Sequence, residues 1–344
     1  MKIQNNKTKT LSFLTILTIM TLLVFPLENP IDVNATNTAT CSASSSPKGD
    51  RMDSSSSNVW IGLSGSGQLG HSSTSSTTSC SVSANTAQND PTNIAFAGNG
   101  YLVFTQKTSG SCISSYNTST GTIVFSNCTP GAGADDVDTD PSNSNDVWSS
   151  WYYNGYIGHF VTNTGSLLTY TPPSCGVTSE LEGLRTDSSG NVWVADEACH
   201  VLWKYVPSSN TWTSYTIATG FTPWWIAADS SNGQIWITST NNNVNALGDF
   251  NISTGTSTTV GYPGSAQAGD EVSVDPANRI TFVAFQNGYV NDYSSSLGSW
   301  GCASSGDSYP NSTPFGISYT QTTGGPDYYW ATLYANSQLV VGHC

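Results

Sequence analysis

The chain contains five glutamates, and four of them, Glu180, Glu182, Glu197 and Glu271, stand in acid-rich clusters: Glu180-Leu181-Glu182, Asp196-Glu197 with His200 close behind, and Asp270-Glu271. Asp135-Asp136 makes a further acidic pair. Carboxylates drawn from several loops are what Ca²⁺ or Mg²⁺ needs, because these hard ions take oxygen ligands. Asp136, Glu182, Asp196 and Glu271 are the expected ligand set. His200, whose imidazole changes charge near neutrality, would act as a general base with Glu197 beside it. Trp151, Tyr152, Tyr153, Trp224, Trp225 and Phe315 form an aromatic set. Rings with apolar faces and polar edges suit a sugar or a peptide, and packing between elements is the competing role.

Residues so far apart in sequence act together only if the fold gathers them, and a repeat says how. Asp187-Ser188-Ser189-Gly190-Asn191-Val192-Trp193 is echoed by Asp140…Asp146-Val147-Trp148, Asp229…Gln234-Ile235-Trp236 and Asp53…Asn58-Val59-Trp60. The other segments on this frame place Val103, Thr281 and Trp330 in the Trp slot. Seven units with slots at 60, 103, 148, 193, 236, 281 and 330, each holding several short β-rich runs, predict an all-β, seven-bladed β-propeller of four-stranded blades over 51–344. A second echo, aliphatic-x-x-aromatic, predicts strand C of each blade (Ile157…Phe160, Leu202…Tyr205, Leu247…Phe250). The recurring aspartates (Asp53, Asp140, Asp187, Asp229, Asp275) are read as turn residues that accept backbone N–H bonds. His71 and His159, in strand C, are read as structural. In a propeller the loops entering strand A and leaving strand B share one face. The acids, His200 and the aromatic set are therefore predicted to meet around the axis.

The seventh unit ends before a fourth strand, so the ring needs a donor strand to avoid an unpaired edge. Residues 36–50 are expected to supply it. Eight cysteines without a Cys-x-x-Cys pair point to disulfides in an oxidising compartment. Cys41 with Cys344 would lock the ring, and Cys175 with Cys199 would meet at one rim. Cys112 has two candidate partners, Cys128 across one hairpin or Cys80, and Cys302 is unassigned.

Residues 1–35 read as a signal peptide: Lys2, Lys7 and Lys9 precede an uncharged apolar run from Leu11 to Phe25. That run is shorter than the roughly 20 residues of a membrane span, with retention as an anchor the alternative. Beyond it, six Lys/Arg face 21 Asp/Glu. So few cations cannot line a basic groove, which disfavours nucleic acid and anionic membrane as partners. A secreted or cell-surface monomer follows. No nucleophile elbow, phosphate-binding Gly loop, zinc motif or dinucleotide fingerprint occurs.

The phrase Gly190-Asn191-Val192-Trp193-Val194-Ala195-Asp196 with its aliphatic-x-x-Tyr strand, together with Ile157-Gly158-His159-Phe160 and Leu69-Gly70-His71, resembles the repeat of virginiamycin B (streptogramin) lyase-like propellers. It is similar, more distantly, to NHL and gluconolactonase-like repeats. The resemblance implies opening of a cyclic depsipeptide by elimination, with a divalent metal and Glu and His on central loops. The family's catalytic Glu stands three residues after the Trp; here that slot reads Leu63, Gln106, Trp151, Asp196, Ser239, Ala284 and Leu333, so only Asp196 is acidic, with His200 the nearest histidine. Taken together, the sequence reads as a secreted propeller that binds an extracellular glycan, peptide or protein at an acidic and aromatic axial face, with or without Ca²⁺ or Mg²⁺. A metal-dependent lyase or lactonase is the alternative, and a structural coat component the third reading.

Overall fold

The structure is a computed structural model that describes residues 36–344 except 44–45, 54–56, 76–81, 87–89, 109, 242–243, 264–267, 276, 278–279, 302–306, 310–311 and 321–327, and Cys344. The expected signal peptide lies outside the described residues. Seven antiparallel sheets of four strands or more follow one another along the chain. We name them blades 1–7 and their strands A–D from the inside out. The innermost strands A are Pro47–Met52, Pro91–Phe96, Ala134–Thr139, Leu181–Thr186, Pro223–Asp229, Gly269–Asp275 and Pro314–Thr320. Each touches the strand A of the next blade, and blade 7 returns to blade 1, so the ring is closed. In blade 6 the outer strand is split: Ser299–Trp300 and Asp307–Ser308 each pair with part of strand C.

Closure is made by the N-terminal strand Thr36–Ser42, which pairs antiparallel with Gln338–His343 as the outermost strand of blade 7. Cys41 stands opposite Leu339, while Thr36 stands opposite His343. The expected Cys41–Cys344 bridge falls on Cys344, which, like Cys80 and Cys302, lies outside the described residues. Cys175–Cys199 and Cys112–Cys128 are both formed, which settles the partner of Cys112.

The two aromatic echoes are one feature seen from two blades. Trp148 of blade 3 packs on Tyr205 of blade 4, Trp193 on Phe250 of blade 5, and Trp236 on Tyr293 of blade 6, with ring centroids 5.7, 5.4 and 5.6 Å apart. Strand-B aromatics thus meet strand-C aromatics of the following blade, and this contact fills the wedge between sheets. His71 and His159 stack on Trp60 and Trp148, their cross-strand partners, as expected of structural residues. One slot needs correction. In blade 6 it is Phe282, not Thr281, that faces strand A at Ser273 and packs near Tyr329. Side chains alternate faces along a strand, so a frame displaced by one residue names the wrong side of the sheet.

The recurring aspartates close their turns. Asp187 accepts the N–H groups of Ser189 and Asn191 and, through Oδ2, the indole N–H of Trp193 at 2.9 Å. Asp140, Asp229, Asp275 and Asp53 likewise accept backbone N–H bonds in their own turns.

Candidate functional site

All seven strands A carry a β-bulge near their start, between the first and fourth residues. A bulge inserts an extra residue and re-aims the side chains around it. The second and third positions of five of these strands hold the chemistry: Asp135-Asp136, Glu182-Gly183, Trp224-Trp225, Asp270-Glu271 and Phe315-Gly316. Facing hydroxyls on strand B serve the bulges. Ser150 accepts the Asp136 N–H at 3.0 Å, Thr238 that of Trp225 at 3.1 Å and Thr332 that of Gly316 at 2.7 Å. Glycine is required at position 183, where a Cβ would come within 2.7 Å of the Trp225 Cα and the Ile226 nitrogen.

At the axial mouth the second-position acids meet a cation. Lys107, just past strand B of blade 2, reaches Asp135 Oδ2 at 2.8 Å and Glu182 Oε2 at 3.4 Å. Its ammonium also lies 4.2 Å from the ring centre of Tyr152. Burial alone would lower the Lys107 pKa, but the two carboxylates outweigh it and raise it above the ordinary lysine value. Glu182 is pushed well above the ordinary carboxylate range by burial, reinforced by Asp135. Burial lifts Asp270 to about 8, with the neighbouring Trp225 indole opposing the rise. At neutral pH the mouth therefore holds a lysine-clamped acid pair beside a largely protonated carboxyl.

Deeper along the axis, Arg185 pairs with Asp136 Oδ2 at 2.5 Å and with Glu271 Oε1 at 3.6 Å. Both acids also cement neighbouring blades. Asp136 accepts the Leu184 N–H of blade 4, and Glu271 the Ile317 N–H of blade 7. Asp50, with Ser318 donating to its Oδ2, has its pKa raised to about 7 by burial.

Asp196, an expected ligand, is fully buried and spent on structure. Its Oδ1 accepts the Glu180 and Cys199 N–H groups and its Oδ2 the Trp203 indole at 2.9 Å. That cap shapes the turn carrying Glu197 and His200, and Cys175–Cys199 staples it. Glu197 accepts from Thr240 at 3.2 Å, and burial raises its pKa. His200 is exposed, adopts φ 56°, and its Nδ1 lies 3.3 Å from Thr222 Oγ1. The donors do not fit a divalent ion. Arg185 holds Asp136 and Glu271, Lys107 holds Glu182, and the oxygens of Asp196 are taken; among the described residues no group of three or more His, Cys, Asp or Glu is disposed around a metal position.

The aromatic set divides. Trp151 is fully buried and donates to Ser149 Oγ at 2.9 Å, and Trp225 is buried in the wedge between blades 5 and 6. Neither offers a face to ligand. Tyr152, Trp224 and Phe315 are partly exposed, and Tyr153 is 53 % exposed, edge-on to Tyr152 with centroids 4.9 Å apart. Lys107, Arg185 and Asp50 were not anticipated from the sequence. The available signal was scarcity: only six Lys/Arg follow residue 35, and Lys107 and Arg185 among them stand on strand A or just past strand B.

No family model and no curated protein matches the sequence. Solved structures do match the fold. Virginiamycin B lyase from Staphylococcus aureus, in its selenomethionine form, superposes with a TM-score of 0.72 at 14 % identity, covering 90 % of this chain and 98 % of that one. A catalytically inactive histidine-to-alanine variant of that lyase with quinupristin gives a TM-score of 0.71 at 15 % identity, covering 90 % and 98 %. A streptogramin B lyase structure gives 0.72 at 15 %, covering 87 % and 93 %. The chain has the seven-bladed fold of these lyases, as the repeat implied, and at such identity the likeness is one of fold alone.

Proposed function

We propose that this chain is an exported binding module that takes a glycan at the axial mouth. The observation that carries this reading is the Lys107 clamp set among partly exposed aromatics. Lys107 offsets the charge of Asp135, and burial favours the neutral forms of Glu182 and Asp270. Such a site offers acceptors, a donor and ring faces with little net charge, which suits an uncharged polyhydroxylated ligand better than an ionic one. Glycan-array screening followed by calorimetry tests it. Binding should fall about tenfold or more in Trp224→Ala and Tyr152→Ala, as truncation of an aromatic anchor does. Chelator should leave it unchanged. Selective capture of peptides in place of glycans, or affinity indifferent to both substitutions, would overturn the reading.

A second reading rests on the Glu197–His200 turn. It stands at the axial face, stapled by Cys175–Cys199, in the fold of a lyase whose histidine-to-alanine variant is inactive. If this chain opens cyclic esters, quinupristin should be consumed with added Mg²⁺, and His200→Ala should stop it. Absence of turnover removes this alternative and leaves the binding role standing.

A further inference from the structure

Past the Arg185–Glu271 pair, towards the end of the axis away from the mouth, the channel opens into a cavity of about 300 Å³. Its walls are the later halves of strands A, including Arg51, Asp138, Thr186, Ser273 and Tyr319. The two arginines that line it differ in what they hold. Arg185 is committed to Asp136, Glu271 and the Leu184 carbonyl. Arg51 donates from Nε to the Ile94 carbonyl at 3.3 Å and its charge faces Asp50, Asp136 and Glu271, but among the described residues its two terminal nitrogens have no hydrogen-bond partner. A guanidinium fork so placed matches a carboxylate in two parallel hydrogen bonds. Asp138 stands in the same cavity. Its Oδ2 accepts the Thr186 N–H and hydroxyl at 2.8 and 2.9 Å, while Oδ1 has no partner among the described residues. That oxygen has capacity to accept a hydrogen bond.

We propose that this cavity binds a small carboxylate that also carries a hydrogen-bond donor, an amino acid or a hydroxy acid, with the carboxylate on the Arg51 fork and the donor on Asp138. The volume sits at the low end of ligand pockets, which suits a molecule of this size. Asp138 and Glu271 in the walls disfavour a dianion such as phosphate, and the guanidinium groups disfavour a simple cation.

Calorimetry on the full chain with L-alanine, glycolate, acetate and inorganic phosphate tests the proposal. Alanine or glycolate is expected to bind at least about tenfold more tightly than acetate, which lacks the donor, with phosphate weaker still; which of the two binds better identifies the donor. Arg51→Gln should weaken the preferred ligand by about tenfold or more. Asp138→Asn should abolish the preference over acetate, and Tyr152→Ala, at the mouth, should change nothing. Failure of both alanine and glycolate to bind, acetate binding equally well, or wild-type affinity in Arg51→Gln would each overturn it. If Arg51→Gln does not fold, the loss or retention of preference in Asp138→Asn decides.

Discussion

Lys107 offsets the charges of Asp135 and Glu182, which still act on each other across the clamp, and its removal shows what the mouth costs to maintain. Lys107→Met would leave two nearly buried carboxylates facing one another, and should lower unfolding free energy by about 3 kcal/mol. Urea denaturation at neutral pH reads this directly, and an unchanged midpoint would mean that the clamp is dispensable. Proton uptake by Glu182, already favoured by burial, softens the loss. The same burial gives a pH dependence of definite sign. Asp50 is raised to about 7 and Asp270 to about 8, from the ordinary aspartate value of 3.8. Through the interval from the unfolded to the folded value, the folded chain holds protons that the unfolded chain has released, so stability declines as pH rises. Glu182, Glu197 and Glu271 shift the same way. Lys107 and Arg185, raised in pKa, keep their contribution throughout this range and lose it only in strong alkali. Tm should therefore be higher near about pH 5 than near about pH 8. Asp50→Asn should flatten part of that slope, whereas a Tm rising with pH would contradict the burial argument.

At the scale of the element, the bulged strand A is the unit that builds the site. Thr238 shows how it is held: its hydroxyl accepts the Trp225 N–H at 3.1 Å and donates to the Asp270 carbonyl of the next blade at 2.7 Å. Thr105 bridges Asn93 and Asp135 in the same way. Thr238→Val keeps the shape and removes both bonds, leaving a buried N–H and a buried carbonyl unsatisfied. We expect a loss of about 1–3 kcal/mol, measured by thermal or urea unfolding, and a loosened Trp224 at the mouth. At the corresponding place blade 4 has Ala195, and Ala195→Ser should be close to neutral by the same measurement. The strands themselves were legible in advance because their signals are local: alternation along Gly121-Thr122-Ile123-Val124-Phe125, aspartate in each A–B turn, and an aromatic in each strand B or C. The bulges were not legible. Nothing in Asp135-Asp136 or Asp270-Glu271 alone says that one of the pair is inserted, since that depends on the hydroxyl opposite. The misplaced slot at Thr281 has a similar origin, because Thr281 and Phe282 both suit a strand and only pairing with Ser273 selects between them.

For the whole molecule, closure is the controlling event. The strand Thr36–Ser42 comes from the beginning of the chain and covers the last strand, Gln338–His343. Deleting residues 36–42 should expose that edge, lower Tm and produce self-association visible by size-exclusion chromatography, as open sheet edges do. A truncated chain that stays monomeric with unaltered Tm would show that blade 7 does not need its outer strand.

The sequence by itself determined the wheel: the number of blades, the turn aspartates, the inter-blade aromatics and the closing strand all follow from signals within one repeat or at the chain ends. Tertiary structure decided what the gathered acids do. Lys107 and Glu182 are 75 residues apart, and Arg185 and Asp136 are 49 apart, on different blades. No local pattern announces such pairs, because charge neutralisation in a propeller acts across the axis between repeats. The acids read as a cation site in the sequence are thus, with Asp196 turned inward and Lys107 and Arg185 paired to the others, a hub of ion pairs with a polar mouth at one end and an arginine-lined cavity at the other.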